Sequence, residues 1–228
     1  MNSYKDVREQ YDGDEMRDHY INWVTEFHKN NYFITESIFQ VLPALDEKKV
    51  LDVGCAHGNM MKLIESSGSA LVFGVDISKE MVNEAKKRVT NPSNVFLADI
   101  EKMIMFEDNF FDIIIGRYSL HYLKNFEKAY VEFNRVLKVE GLLVLVVHHP
   151  LMDLILQKEQ VYGKKEIVTL DVNEYGSDFQ IIYPSHTIEE YFSDEFFGFF
   201  YLDYFKEFKD QDDGLVHSML IKAVKRRI

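Results

Sequence analysis

From Lys49 onward the chain repeats one pattern: a short run that is apolar on both faces, then a stretch with helical spacing. The runs lie at 50–54 (VLDVG), 71–77 (LVFGVDI), 94–98 (NVFLA), 110–116 (FFDIIIG) and 142–147 (LLVLVV). A strand with no polar face cannot border water on either side, so these runs require a sheet covered by helices on both faces, which is the setting of parallel strands. Between them, Met81, Val82, Ala85 and Val89 form one helical stripe behind a predicted N-cap at Ser78, and Phe126, Tyr130, Phe133 and Leu137 form another. The alternation predicts a doubly wound α/β sheet with right-handed crossovers.

Both flanks depart from this repeat. Upstream, Met16, Tyr20, Trp23, Val24 and Phe27, then Ile34, Ile38 and Leu42, mark two amphipathic helices ending at Pro43. Downstream of Pro150 the alternation fails, and the turn signals Tyr162-Gly163, Tyr175-Gly176 and Pro184 point to an insertion rather than another strand and helix. A short helix is expected around 187–193. The runs 199–208 and 215–224 read as an antiparallel pair joined near Asp212-Asp213-Gly214. Together these predict a single domain: N-terminal helices at 1–43, a core at 44–150, an insertion at 151–190 and C-terminal strands at 191–228, with a mostly parallel seven-stranded sheet.

Charge restricts the partners. With 26 Lys+Arg against 38 Asp+Glu the formal net charge is −12, which repels a phosphate backbone. The basic cluster Lys222, Lys225, Arg226 and Arg227 is read as a solvated strand end, so no nucleic-acid partner is expected. Phe196 to Leu202 is the longest apolar run, far short of the roughly 20 residues of a membrane helix. The polar start MNSYKDVREQYDGDE does not resemble a secretion signal, and the lone Cys55 excludes an internal disulfide. A cytoplasmic protein without membrane association is the expectation; oligomeric state is not legible.

The segment VLDVGCAHG, Val50 to Gly58, runs from a buried strand into a helix through a glycine-bearing turn. Such a turn lets a ligand approach the backbone and aims helix N–H groups at it. The dinucleotide pattern G-x-G-x-x-G is absent, as is a phosphate loop ending in Gly-Lys-Ser/Thr. Acids mark the successive strand ends instead. Asp52 lies inside the first strand, Asp76 at the tip of the second can accept both hydroxyls of a ribose diol, and Asp99-Ile100 follow the third with a carboxylate and an apolar face for an adenine ring.

At these residues the chain resembles the class I S-adenosylmethionine (SAM)-dependent methyltransferases of small molecules, whose fold is Rossmann-like. VLDVGCAHG is similar to that family's glycine loop, GVDIS to its ribose-binding strand end and LADI to its adenine contact; MFEDNFFDIIIGRYSLHYL and FNRVLKVEGLLVLV resemble the segments that follow. The resemblance implies that Gly54, Ala56 and Gly58 face the methionine part of SAM, Asp76 its ribose, Ile77 and Asp99 its adenine, and that Arg117 offers a backbone carbonyl to its ammonium. Further cofactor contacts are assigned to Asp52, Cys55, Met81, Ile100 and Tyr11. Ala56 stands where the family often has glycine; a negative φ there is the expectation that makes its methyl group tolerable.

Methyl transfer from a sulfonium mainly needs alignment in a dry pocket, plus a group to take a proton from the acceptor. Tyr118, His121 and His149 sit at strand ends facing the cofactor and are the candidate catalytic residues. His149 is the first choice, because Pro150 forces an extended turn at the ligand edge. Tyr118, His121, His149, Tyr183 and His186 are the candidate acceptor contacts, with Tyr162 and Tyr175 in the same insertion. The resemblance also implies that the N-terminal helices, with Tyr4, Tyr11 and Tyr20, form a lid, and that the insertion covers the acceptor. No metal is expected, since adjacent His148 and His149 point to opposite faces of a strand. The resulting expectation is SAM-dependent methylation of O, N or C in a small organic acceptor. The other readings are methylation of a protein or other macromolecule, a non-catalytic SAM-binding module, and a nicotinamide-dependent oxidoreductase disfavoured by the missing fingerprint.

Overall fold

A computed structural model describes residues 10–11, 14–30, 32–68, 71–103, 105–173, 177–209 and 214–227. The apolar runs become the strands β1 (Lys49–Val53), β2 (Leu71–Asp76), β3 (Val95–Leu97), β4 (Phe111–Arg117) and β5 (Leu137–His148). The C-terminal pair becomes β8 (Phe200–Lys209) and β9 (Val216–Lys225), and together they make a seven-stranded sheet in the order β3-β2-β1-β4-β5-β9-β8. The first five strands are parallel and β9 is antiparallel to both its neighbours. The expected joint at Asp212-Asp213 lies outside the described residues.

Why both faces had to be apolar is visible in β4 and β5. Ile114, Leu143 and Leu145 enter one buried cluster, whereas Ile113, Ile115, Val144 and Val146 enter the other, as strand alternation dictates. The helices α3 (Asn59–Ser66) and α4 (Lys79–Arg88) cover one face, and α5 (Glu127–Val136) covers the opposite one. Ser78 caps α4 as expected, its hydroxyl accepting from Met81 N–H at 3.2 Å. Leu137, read as the last residue of the α5 stripe, instead closes the helix and opens β5, where it pairs with Phe111. The strand therefore starts five residues before the apolar run at 142.

The insertion is more ordered than its turn signals suggest. It holds α6 (Pro150–Leu156) and an antiparallel pair, β6 (Ile167–Val172) and β7 (Phe179–Pro184), in register from Ile167–Pro184 to Val172–Phe179. Tyr175-Gly176, between those strands, lies outside the described residues, as does Tyr4. The helix expected at 187–193 is the short α7 (Ile188–Tyr191), capped by Thr187, and a further helix, α8 (Asp194–Phe199), capped by Ser193, follows beyond it.

At the N-terminus come α1 (Asp14–Asn30) and α2 (Tyr32–Val41), and Ile34 and Ile38 of α2 join the buried cluster on the face covered by α3 and α4. Tyr20 and Trp23 of α1 pack on the buried cluster of the β6–β7 pair. Ahead of α1, Gln10 donates to the Ile182 carbonyl at 3.0 Å and accepts from Ile182 N–H at 3.1 Å, a two-point amide clamp onto β7. Ser177 donates to the His19 carbonyl at 3.0 Å. Arg17 reaches Glu80 at the start of α4, 3.6 Å away, so the N-terminal segment touches the sheet edge on both sides. Among the described residues no helix is long and apolar enough to cross a membrane.

Candidate active site

The turn after β1 is built around one close approach. A Cβ on Gly54 (φ +72°) would stand 2.4 Å from the Ser119 Cβ, so only glycine lets the β1 and β4 tips come together. The Gly54 and Cys55 N–H groups donate to the Val75 carbonyl at 2.9 and 3.0 Å. Asp76 then binds two loops at once: Oδ2 accepts from Ala56 N–H at 2.8 Å and Oδ1 from Ser78 N–H at 2.9 Å. Ala56 does not take the expected negative φ. It sits at φ +45°, in the left-handed region that costs a residue with a Cβ about 1–2 kcal/mol, because its N–H must aim at Asp76.

A cavity of about 480 Å³ opens along these strand tips. One end is lined by Asp76, Ile77, Met81, Asp99 and Ile100, the middle by Asp52, Gly54, Cys55, Ala56 and Arg117, and Tyr11, Tyr20 and Trp23 close it from the N-terminal side. Of the expected cofactor residues Gly58 alone does not line it; at φ +82° it starts α3 and packs on Ala85. Cys55 is buried beside Gly74, and burial pushes its thiol up, so it packs rather than reacts.

The middle of the cavity holds buried polar atoms that have no partner among the described residues. Asp52 Oδ2 accepts nothing, Arg117 Nε and Nη2 donate to nothing, and Ser119 Oγ is likewise unpaired. Among the described residues the guanidinium is hydrogen-bonded through Nη1, which donates to Thr35 of α2 at 2.9 Å, and it lies over the Tyr118 ring at 5.9 Å. Burial, and then the charge of Asp76, push the Asp52 carboxyl up to about 7. Leaving such groups unsatisfied costs about 1–3 kcal/mol each, more when charged. A ligand with an ammonium and a carboxylate on one carbon completes both sets, and the amino-acid end of SAM has that form. Asp76 retains lone pairs for a ribose diol beside it. The residues present therefore fit SAM. His57, in the same loop, also lines the cavity with both ring nitrogens unpaired, and burial holds its pKa down to about 4.

The far end is aromatic. Tyr118 and His121 face it as expected, and Tyr122, Trp23, Phe27, Leu170, Val172 and Ile181 join them. The His121 and His148 rings stack at 4.3 Å and 13°, and the Tyr118 hydroxyl bonds Ser218 at 2.8 Å. The Tyr11 hydroxyl bonds that of Tyr122, closing the cavity from the N-terminal side. Burial holds His148 down to about 3 and His121 well below the usual imidazole range, so both rings are neutral at pH 7.

His149 does not line the cavity; His148 takes that place. Alternation sends the two rings to opposite faces. Pro150 is the first residue of α6, and His149 is its cap: Nδ1 accepts from Leu151 N–H at 3.1 Å while Nε2 lies 3.2 Å from Glu207. The sequence signal was the X-Pro helix start. Tyr183 and His186 stand behind the wall rather than in it: Tyr183 bonds His148 Nδ1 at 2.7 Å, and His186 Nε2 donates to the His121 carbonyl at 3.0 Å. Tyr162 is further out, accepting from Ile188 N–H. His217 and Met152, which no motif marked, also line the cavity. Among the described residues no three His, Cys, Asp or Glu side chains are placed to hold a metal ion.

Residues 51–145 match the family model described as a methyltransferase domain. A demethylmenaquinone methyltransferase from Staphylococcus aureus is 33% identical over 122 residues, 51% of this chain and 50% of that protein. Among solved structures, a SAM-dependent methyltransferase from Methanosarcina mazei superposes with a TM-score of 0.63 at 21% identity, covering 84% of this chain and 97% of that one. The geranyl diphosphate C-methyltransferase of Streptomyces coelicolor, crystallised with Mg2+, geranyl diphosphate and S-adenosylhomocysteine, does so with a TM-score of 0.65 at 15% identity, covering 89% of this chain and 81% of that one. The chain spans about half the length of the curated relatives it matches. Sheet order, strand-tip chemistry and the matched segment coincide on the same core, so residues 51–145 resemble a methyltransferase domain set in the fold of the SAM-dependent methyltransferases.

Proposed function

We propose that this protein moves the methyl group of SAM to a small organic acceptor enclosed in the aromatic end of the cavity. The observation that carries the reading is the continuity of one cavity from the strand-tip acids, past Asp52 Oδ2 and the Nε and Nη2 of Arg117, which have no partner among the described residues, to the histidine and tyrosine end beneath α1 and the β6–β7 pair. When bound, SAM supplies an electrophilic methyl on a sulfonium. Asp76 then accepts the ribose hydroxyls, Asp99 and Ile100 hold the adenine, Asp52 accepts the ammonium, and the free Nε and Nη2 of Arg117 receive the carboxylate. Tyr11, Tyr20 and Trp23 exclude water, which strengthens every electrostatic contact inside. A space closed by two hydrogen-bonded elements suits a molecule that enters whole and poorly suits a loop on a macromolecule.

Two measurements test this. Asp76→Ala should weaken S-adenosylhomocysteine binding by about 1–3 kcal/mol in calorimetry while the fold remains; an unchanged affinity contradicts the ribose assignment. Incubation of a cell extract with methyl-labelled SAM should place the label in the low-molecular-weight fraction. Label in protein or RNA moves the assignment to a macromolecular acceptor, and SAM binding without any transfer moves it to a non-catalytic module.

A further inference from the structure

Hydrogen bonds engage most polar side chains at the aromatic end of the cavity. The Tyr118 hydroxyl and His217 Nδ1 both meet Ser218 Oγ at 2.8 Å, the Tyr122 hydroxyl bonds that of Tyr11, and His148 Nδ1 bonds the Tyr183 hydroxyl at 2.7 Å. His121 is different. It lines the cavity and is 1% exposed, yet neither of its ring nitrogens has a partner among the described residues. The ring is held by packing instead: the Tyr122 and His148 rings lie 4.2 and 4.3 Å from it, and Tyr183 meets it edge-on at 4.9 Å. The His121 carbonyl accepts from His186 Nε2 at 3.0 Å, which fixes the backbone that carries the ring. Buried nitrogens left without partners are costly, and a molecule in the cavity that bonds one of them lifts that cost.

We propose that His121 is the residue that recognises the methyl acceptor, and that the acceptor presents to it a hydroxyl group on a body free of phosphate and carboxylate. The proposal rests on the methyltransferase reading and adds the acceptor class to it. Burial keeps this ring neutral, and a neutral imidazole offers one N–H and one lone pair. A hydroxyl both donates and accepts, so it satisfies whichever nitrogen it meets. A carbonyl answers only the N–H, and a hydrocarbon answers neither. Charge excludes the anions. Arg117 is the only Lys or Arg among the described residues that line the cavity, and its guanidinium is tied to Thr35 at the middle, where the amino-acid end of SAM fits. A phosphate or carboxylate at the aromatic end would be buried among Trp23, Phe27, Tyr118 and Tyr122 without a counter-charge from the protein, a desolvation cost that these rings do not repay. The same rings suit the apolar body of a hydroxyl compound.

The test reads the ring in the unaltered protein. Protein labelled with 15N-histidine and saturated with S-adenosylhomocysteine at pH 7.5 is examined by long-range proton–nitrogen correlation, with the His121 ring assigned through its contacts to Tyr122 and His148. Phenol should shift a His121 ring nitrogen, whereas toluene, of similar shape without the hydroxyl, should leave both unchanged, and benzoate should not bind. In calorimetry His121→Phe, which keeps a packing ring without nitrogens, should lower phenol affinity about tenfold, the loss of one buried hydrogen bond, and leave S-adenosylhomocysteine affinity unchanged. No response of His121 to phenol overturns the proposal, as does an equal response to toluene, benzoate binding as tight as that of phenol, or full phenol affinity in the folded variant. Should His121→Phe not fold, the shifts in the unaltered protein decide alone. Failure of that protein to bind S-adenosylhomocysteine counts against the methyltransferase reading, whereas binding with a silent His121 counts against the acceptor assignment alone.

Discussion

Asp52 is the residue where folding and ligand binding pull in opposite directions. Its carboxyl is raised from 3.8 to about 7, so the folded state holds that proton more tightly than the unfolded chain. The associated stability is complete below the unfolded value and is lost as pH rises through about 7. At pH 8 the ligand-free protein carries a buried carboxylate that Arg117 and the Met61 N–H offset only in part. Asp52→Asn should therefore stabilise the ligand-free protein at pH 8 by roughly 2–4 kcal/mol, at about 1.4 kcal/mol per pKa unit, and yet weaken S-adenosylhomocysteine. Affinity for 5′-methylthioadenosine, which lacks the amino-acid end, should be unchanged; equal weakening of both nucleosides would remove the ammonium assignment. Ala56 tells a related story. Glycine there relieves the left-handed strain but adds unfolded-state entropy, so Ala56→Gly should raise stability by about 0.5–1 kcal/mol in urea unfolding. A loss of stability would mean that the methyl group packs usefully. The sequence marked the departure at Ala56 but not the sign of φ, which is set by a hydrogen bond to Asp76 twenty positions away.

At the scale of elements, the cavity is closed by pieces that never pair within the main sheet. The β6–β7 pair meets α1 through Tyr20, Trp23 and Phe179, and Gln10 clamps the chain ahead of α1 to Ile182. These contacts are few beside those of the core strands, which places the segment at the low end of the local opening scale. Gln10→Ala removes both hydrogen bonds of the clamp and should speed S-adenosylhomocysteine release several-fold, with a global stability change of about 1–2 kcal/mol or less. Stopped-flow displacement measures it, and an unchanged release rate would show that the clamp does not gate the cavity. The strands of the insertion escaped sequence reading because β6 and β7 alternate only weakly and rest on α1 rather than on a second face of their own. Their apolar side is recognisable only once Tyr20 and Trp23 lie against it.

For the whole molecule, buried titration governs acid behaviour. His57 at about 4, His148 at about 3 and His121 well below the usual range are depressed in the folded state, so their contribution is present above about 6.5 and is lost as pH falls through those values. Asp52 and Asp153, raised to about 7 and about 6, act in the opposite sense above pH 3.8. Three histidines outweigh two carboxyls on the acid side. Urea midpoints of the ligand-free protein should fall steadily from pH 6.5 to 4, with net proton uptake on unfolding. A flat profile over that range would mean that the rings are already charged or solvated in the folded protein.

Sequence alone determined the sheet core, the turn after β1 and the acids on the strand tips, because each follows from local rules: apolar runs cannot face water, a close backbone approach needs glycine, and strand ends collect ligands. The same rules could not choose between His148 and His149, because that choice depends on which residue caps α6 and on a partner, Tyr183, thirty-five positions away. Nor could they find the unpaired pole of Asp52 and Arg117 or the neutral stacked histidines. Those properties belong to burial and to contacts between distant segments, and only the tertiary structure, by removing water from some groups and supplying partners to others, decided them.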